Sequence, residues 1–276
     1  ALTSIVLPEL GSPLSGPLSN LPLRDPDFTG REDTLAIVSR ELAEAGVVAV
    51  HGLGGVGKSQ LAIEFARRGR AAEIFDVVWW IRAESTATIV EDFAALASAL
   101  KIPSGQDQAR TVTAVREMLQ HRDRWLLIFD NVPEARAVRT WLPTGGGQVL
   151  ITSRDRSWVG LARRVELGSF TRTESLGYLR QRTGRDEPAA EALAEVLGDL
   201  PLALAQAASY IELHGGLSAG QYLQLYRDRE GAGLLLSEGL TRYPHTVATT
   251  WLTHFDQLAE SNPAALQLLR LCSHLD

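Results

Sequence analysis

A chain of 276 residues, 45% hydrophobic and 22% charged, has the composition of a folded protein of about two domains, which excludes a disordered tail, a collagen-like repeat and a coiled coil. Its net charge of -6, from 27 basic and 33 acidic side chains, argues against a general binder of the nucleic-acid backbone. No apolar run approaches the length of a membrane helix, no signal peptide is visible, and the sequence has one cysteine, so we expect a cytoplasmic protein without intrachain disulfides.

The N-terminal part of the chain is predicted to change from linker to helix near residue 28. Residues 1–27 are rich in proline, glycine and serine, which predicts a linker laid over a surface. From Thr29 the sequence fits a capping box, in which the side chains of Thr29 and Glu32 satisfy free backbone N–H groups at the start of a helix that runs to about Glu44. The chain begins without methionine and ends just after a helical pattern at residues 264–271, so we expect it to be part of a longer protein.

Between residues 28 and 168, apolar strand patterns alternate with helical ones. Short apolar runs predict strands at residues 47–50, 77–81, 125–129, 148–151 and 164–167, and helical spacing predicts further helices at residues 58–68, 88–100 and 109–120. This alternation is typical of an α/β unit with a parallel sheet. Residues 169–232 show only helical patterns and predict a small all-helical domain, and another helical stretch begins near Thr246.

The sequence GLGGVGKS at residues 52–59 matches the phosphate-binding loop pattern G-x-x-x-x-G-K-[ST] and lies between a predicted strand and a predicted helix. Glycines allow backbone N–H groups to surround phosphates, and the following helix adds its positive N-terminal end. Lys58 would reach the β- and γ-phosphates, and the Ser59 hydroxyl would ligate Mg²⁺. A glycine-rich turn without a ligand is the alternative, which the flanking elements disfavour. The predicted nucleotide contacts here are Gly52, Gly54, Gly55, Val56, Gly57, Lys58, Ser59 and Gln60.

Two polar residues follow predicted strands and are expected at the same sheet edge as this loop. Asp130 ends an apolar strand, as a Walker B acid near Mg²⁺ does, so we predict that it binds metal. Arg154 follows another strand, where its guanidinium would contact the γ-phosphate, and a surface arginine is the alternative. With Lys58, these are the predicted catalytic residues. Asn131 stands where rapid P-loop ATPases commonly have a second acid that activates water, which predicts slow ATP hydrolysis.

In this order, the motifs resemble the NB-ARC, or AP-ATPase, branch of the STAND class of P-loop NTPases, of the bacterial regulator type. Besides the phosphate loop, the resemblance rests on FTGRE at residues 28–32, VWWI at 78–81, LLIFDN at 126–131, TSR at 152–154 and GDLPLA at 198–203. It implies that Thr29 and Arg31 contact adenine, mainly through their backbone, and that Pro201 and Leu202 pack near the same base. It also implies that residues 233–276 are the N-terminal part of a winged-helix domain.

The resemblance implies a regulatory switch that carries ADP or ATP together with Mg²⁺. Bound ADP would hold the helical and winged-helix domains on the α/β domain, and exchange for ATP would allow self-association in the full-length protein. An N-terminal effector domain and a C-terminal repeat sensor are expected outside this chain. Neither a membrane nor a nucleic acid is expected as a direct partner of the chain itself.

Two other functions stay open at the level of the residues. A P-loop small-molecule kinase would need an acceptor pocket and a mobile arginine-rich lid, which the sequence does not identify, and it would phosphorylate added acceptors. A transcriptional regulator module would use the winged helix on DNA, although the net charge of -6 opposes DNA contact by this chain. A salt-dependent shift of a labelled duplex would support that function.

Overall fold

The computed structural model describes residues 18–103 and 108–234, and it divides the chain into two compact units, residues 1–168 and 169–276. The first unit holds a parallel sheet with helices, and the second holds helices alone over its described residues. The predicted winged-helix segment lies outside the described residues from residue 235 onward. Within the described ranges, no helix is both long enough and apolar enough to span a membrane.

Six strands form one sheet in the described part of the first unit, and all neighbouring strands are parallel. They are β1 (Leu18–Ser19), β2 (Val47–His51), β3 (Val77–Arg82), β4 (Trp125–Val132), β5 (Gln148–Ser153) and β6 (Arg163–Glu166), in the spatial order β1-β3-β4-β5-β2-β6. Strands β2 to β5 are almost continuous runs of buried residues, as expected for a sheet covered on both faces. The carboxyl ends of β2, β4 and β5 therefore meet at one edge, where ligands of open α/β sheets bind.

The helices of the first unit are α1 (Glu32–Ala45), α2 (Lys58–Ala71), α3 (Thr86–Ala99), α4 (Gln108–Gln120) and the short α5 (Ala135–Val138). Ser85 caps α3 by accepting a hydrogen bond from the backbone N–H of Thr88 at 3.2 Å. Fully buried aromatic side chains such as Phe93 of α3 and Phe129 of β4 join helices and sheet in one hydrophobic core. The predicted α/β fold with a parallel sheet is confirmed.

The capping box predicted at Thr29 is wrong, because α1 begins only at Glu32. Arg31 occupies the cap position with φ 66°, in the left-handed region. The Thr29 hydroxyl donates to the Asp27 carbonyl oxygen at 2.9 Å, and the Glu32 carboxylate accepts from Arg68 of α2 at 2.6 and 2.8 Å. A tertiary ion pair thus uses the carboxylate that the local pattern assigned to the helix start.

The predicted N-terminal linker is corrected over part of its described residues, because residues 18–20 join the edge of the sheet. β1 pairs with β3, and the Asn20 amide exchanges two hydrogen bonds with the backbone of Trp80, at 2.6 and 2.9 Å. Arg24 forms an ion pair with the buried carboxylate of Glu64 in α2 at 2.9 Å. The composition predicts coil, but these partners lie far away in the sequence and no local pattern signals them.

The second unit contains four helices among its described residues: α6 (Arg172–Thr183), α7 (Ala189–Val196), α8 (Pro201–Leu213) and α9 (Ala219–Leu234). A capping box of Thr171 and Glu174 begins α6, and Gly184 ends it with φ 67°. Arg172 pairs with Asp199 at 2.9 Å just before α8, whose first residue is Pro201.

Candidate functional site

The phosphate loop connects β2 to α2, and its shape depends on glycine at both ends. A Cβ at Gly52 would lie 2.2 Å from the carbonyl oxygen of Leu167, a distance that no side chain tolerates. Gly57 occupies the cap position of α2 with φ 92°, which glycine adopts without strain. The loop therefore brings the N-terminus of α2, which begins at Lys58, to the carboxyl edge of the sheet.

Lys58 is folded back onto the loop that precedes it. Its ammonium donates to the carbonyl oxygens of Gly52 at 3.0 Å and Leu53 at 2.8 Å. Burial, and then the nearby Arg154, lower the pKa of Lys58 from its ordinary value, and Asp130 opposes this shift. A compact ammonium with three donors at this position suits phosphate oxygens, whose negative charge would offset the positive charges of Lys58 and Arg154.

Ser59, Asp130 and Thr152 form one hydrogen-bonded group at the carboxyl ends of the strands. Oδ1 of Asp130 accepts from the Ser59 hydroxyl at 2.7 Å and from the Thr152 hydroxyl at 2.5 Å. The strand order brings them together, because β5, which ends near Thr152, lies between β2 and β4. Carboxylate and hydroxyl oxygens suit Mg²⁺, which takes few protein ligands beside phosphates and water. The two predicted metal residues, Ser59 and Asp130, are therefore direct neighbours.

Arg154 lies beside the phosphate loop. Its guanidinium carbon is 3.5 Å from the position that a Cβ would take at Gly54, and the side chain is exposed. Its charge is close enough to Lys58 to lower the pKa of that ammonium. Two cationic groups from different elements thus lie at one loop, an arrangement typical of phosphate recognition.

Asn131 follows Asp130 in β4, where the pairing with β5 is irregular. Its φ of 59° lies in the left-handed region, which asparagine tolerates better than most residues. Its backbone N–H donates to the Thr152 hydroxyl at 2.9 Å, and its side chain is exposed. The position beside the predicted Walker B acid therefore carries an amide, which cannot take a proton from water.

The residues predicted to contact adenine fall in both units. Thr29 and Arg31 lie just before α1, and the Arg31 guanidinium donates to the carbonyl oxygens of Val56 at 3.3 Å and Gly168 at 2.8 Å. Pro201 and Leu202 form the first turn of α8 in the second unit, with Leu202 partly exposed. Contact of any of these residues with adenine stays a prediction.

Comparison with known proteins decides the family. The model of the NB-ARC domain matches residues 31–180 of this chain. The chain belongs to the NB-ARC family. A nucleotide-binding leucine-rich repeat (NLR)-like protein of Hyaloscypha variabilis is 27% identical over 291 residues, 89% of this chain and 29% of its own length. Regulatory protein AfsR of Streptomyces coelicolor is 34% identical over 215 residues, 69% of this chain and 22% of its own length.

Among solved structures, domain III of the Thermotoga maritima replication initiation protein DnaA superimposes with a TM-score of 0.50 at 16% identity, over 75% of this chain and 98% of that one. At this identity the likeness shows the fold alone. The NB-ARC chain spans less than a third of the length of the curated relatives it matches. Membership confirms the predicted STAND P-loop NTPase, a family of nucleotide-binding regulatory ATPases.

One residue of the site was missed as a functional residue by sequence analysis. Thr152 was noted only as the start of the motif that ends at Arg154, yet its hydroxyl links Asp130 to the backbone of Asn131. A small hydroxyl residue at a strand end is the only local signal. Its role emerges from the spatial order of the strands, which the order along the chain does not specify.

Proposed function

We propose that this NB-ARC chain is the nucleotide-binding part of a cytoplasmic bacterial switch that binds ADP or ATP with Mg²⁺ and hydrolyses ATP slowly. The observation that carries this proposal is the hydrogen-bonded group of Ser59, Asp130 and Thr152 next to Lys58 and Arg154. It combines oxygen ligands for a cation with donors for phosphate at one edge of the sheet. That combination serves a nucleoside phosphate with its metal better than either ligand alone.

Each group in the site has a separate part in binding the phosphates. The loop backbone and Lys58 hold the phosphate chain, with Gln60 in the first turn of α2 among the proposed contacts. Ser59 and Asp130 would hold Mg²⁺, which when bound neutralises phosphate charge. Arg154 would bind the γ-phosphate through its planar fork, so it distinguishes ATP from ADP.

Slow hydrolysis follows from Asn131. Oδ1 of Asp130 accepts hydrogen bonds from two hydroxyl groups, and the adjacent residue offers an amide instead of a carboxylate. A general base contributes about 10²–10⁴-fold to such reactions, so its absence extends the lifetime of bound ATP. A long-lived ATP-bound state suits a regulatory switch better than a metabolic enzyme.

The regulatory role is supported by the relatives, one of which is named a regulatory protein and another an NLR-like protein. In the proposed switch, ADP and ATP stabilise different conformations, and each nucleotide acts only through its different affinity for the two. Self-association of the full-length protein would follow ATP binding, with an effector and a repeat sensor outside this chain.

Titrations of ADP and ATP against the variant Arg154→Met test this proposal. We expect ATP affinity to fall about tenfold more than ADP affinity, because only ATP has the γ-phosphate. The exposed neighbour Arg156 provides the control, since Arg156→Met removes the same charge nearby. Equal weakening of both nucleotides would remove the sensor role of Arg154, and a wild-type chain that binds neither nucleotide would contradict the proposed function as a whole.

A further inference from the structure

The last residues of the first unit are built into the base of the phosphate loop. The backbone N–H of Leu167 donates to the carbonyl oxygen of His51 at 2.8 Å, directly before the loop. The Leu167 carbonyl oxygen is so close to Gly52 that a Cβ there would lie 2.2 Å away. The first glycine of the loop and residues 166–168, called the exit segment below, are therefore in direct backbone contact.

Arg31 joins the same two parts of the chain at a second point. One nitrogen of its guanidinium, Nη2, donates to the carbonyl oxygen of Gly168 at 2.8 Å and to that of Val56 at 3.3 Å. Val56 lies in the middle of the phosphate loop, with its side chain buried. Arg31 itself has a left-handed backbone, an uncommon conformation for a residue with a long side chain.

We propose that Arg31 is a positioning residue that couples the phosphate loop to the exit segment, from which the chain passes into the helical unit. This inference rests on the proposed nucleotide function and adds a contact through which nucleotide binding affects the exit segment. Phosphate binding orders the loop and hence the carbonyl of Val56. Through Arg31, that order is passed to Gly168, the last residue before the helical unit begins at residue 169.

Hydrogen exchange of the Leu167 amide in the 276-residue chain measures this coupling. Each protein is compared without ADP and with ADP at about 100 times its own Kd, so that differences in affinity do not enter the comparison. In the wild-type chain we expect ADP to slow exchange of this amide about tenfold, because an ordered phosphate loop keeps the exit segment hydrogen-bonded to it. A structural effect alone would change exchange equally with and without ADP.

Three variants distinguish the proposed coupling from other roles of Arg31. Arg31→Met keeps a long, unbranched side chain without donors, so we expect ADP to bind but to slow Leu167 exchange less than about twofold. Arg31→Lys should restore the response, because a single nitrogen makes both hydrogen bonds and a lysine ammonium has three donors. Arg40→Met, at an exposed position on α1, is the control for loss of charge.

The outcomes distinguish this inference from the proposed function. A wild-type response to ADP that Arg31→Met abolishes and Arg31→Lys retains supports the coupling. A full response in Arg31→Met, or no response of Leu167 in a wild-type chain that binds ADP, overturns it while the proposed function stands. A wild-type chain that binds no nucleotide overturns both. If Arg31→Met does not fold, Arg31→Asn replaces it, because asparagine tolerates the left-handed backbone and its short side chain does not reach both carbonyl oxygens. A full response in Arg31→Asn then overturns the coupling, and a lost response supports it.

Discussion

At the scale of single residues, Lys58 differs sharply from Lys101, the only other lysine of the sequence. Lys58 donates to two loop carbonyls in a half-buried position, whereas Lys101 is exposed after α3. Replacing both by arginine makes a matched pair. We expect Lys58→Arg to lower ADP affinity about a hundredfold, because the broad guanidinium does not fit a position shaped for an ammonium. Lys58→Ala should abolish ADP binding.

Calorimetric titration with ADP measures these effects, with Lys101→Arg expected to bind as the wild-type chain does. Tight binding by Lys58→Arg would contradict the role assigned to this lysine. Circular dichroism of each variant shows whether a loss of affinity reflects a loss of folding.

Asn131 supports a second prediction at this scale. Asn131→Asp should raise the single-turnover rate of ATP hydrolysis by about tenfold or more, because it supplies a carboxylate where a base would act. Aspartate also tolerates the left-handed backbone at this position. Asn131→Gly relaxes the same backbone without adding a base. An unchanged rate in Asn131→Asp, or an equal rise in both variants, would show that the missing base does not limit turnover.

At the scale of secondary structure, Glu64 connects three elements. This buried carboxylate of α2 accepts from Arg24 of the N-terminal segment at 2.9 and 3.2 Å and from Arg68 at 2.8 Å, and Arg68 also pairs with Glu32 at the start of α1. Burial by itself would raise the pKa of Glu64, but the hydrogen bonds from both arginines outweigh it and lower this pKa below its ordinary value of 4.5.

The lowered pKa sets a direction for the dependence of stability on pH. The carboxylate contributes to the free energy of unfolding above pH 4.5, and that contribution is lost as the pH falls through the lower pKa of the folded chain. Glu64→Gln should therefore lower the free energy of unfolding at neutral pH by about 2 kcal/mol, and less at acid pH. Urea unfolding at both pH values measures the difference, with the exposed Glu44→Gln as control. A penalty that does not shrink at acid pH would exclude the ion pairs as its cause.

The sequence predicts elements well where one pattern dominates. The apolar runs of β2 to β5 and the loop between β2 and α2 are where residue patterns alone place them, because burial and the phosphate-loop pattern are local signals. Prediction fails where distant partners decide. Asn20 pairs with Trp80, and Glu32 pairs with Arg68 instead of capping α1. The residues next to each of them in the sequence do not predict either contact.

The same distinction applies to the site. Lys58, Ser59 and Asp130 follow from motifs, and the structure places Ser59 against Asp130. The hydroxyl of Thr152 and the side-chain contacts of Arg31 depend on strand order and on the path of the exit segment. Both are properties of the tertiary structure, and no spacing in the sequence encodes them.

At the scale of the whole molecule, we propose that the first unit binds the phosphates and that the bound nucleotide determines the state of the switch. The proposed switch would retain its product, because slow hydrolysis would leave bound ADP, and release of that ADP would require a change of conformation. The identity of the nucleotide that the purified chain contains therefore tests the proposed switch.

The most direct measurement is to purify the chain without added nucleotide, denature it and identify the released molecule by chromatography. We predict ADP in stoichiometric amount from the wild-type chain, and no nucleotide from Lys58→Ala. Release of ATP would instead point to a site that does not hydrolyse and would make Asn131 the first residue to examine. An empty chain that binds neither ADP nor ATP on titration would contradict the proposal that this chain is a nucleotide switch.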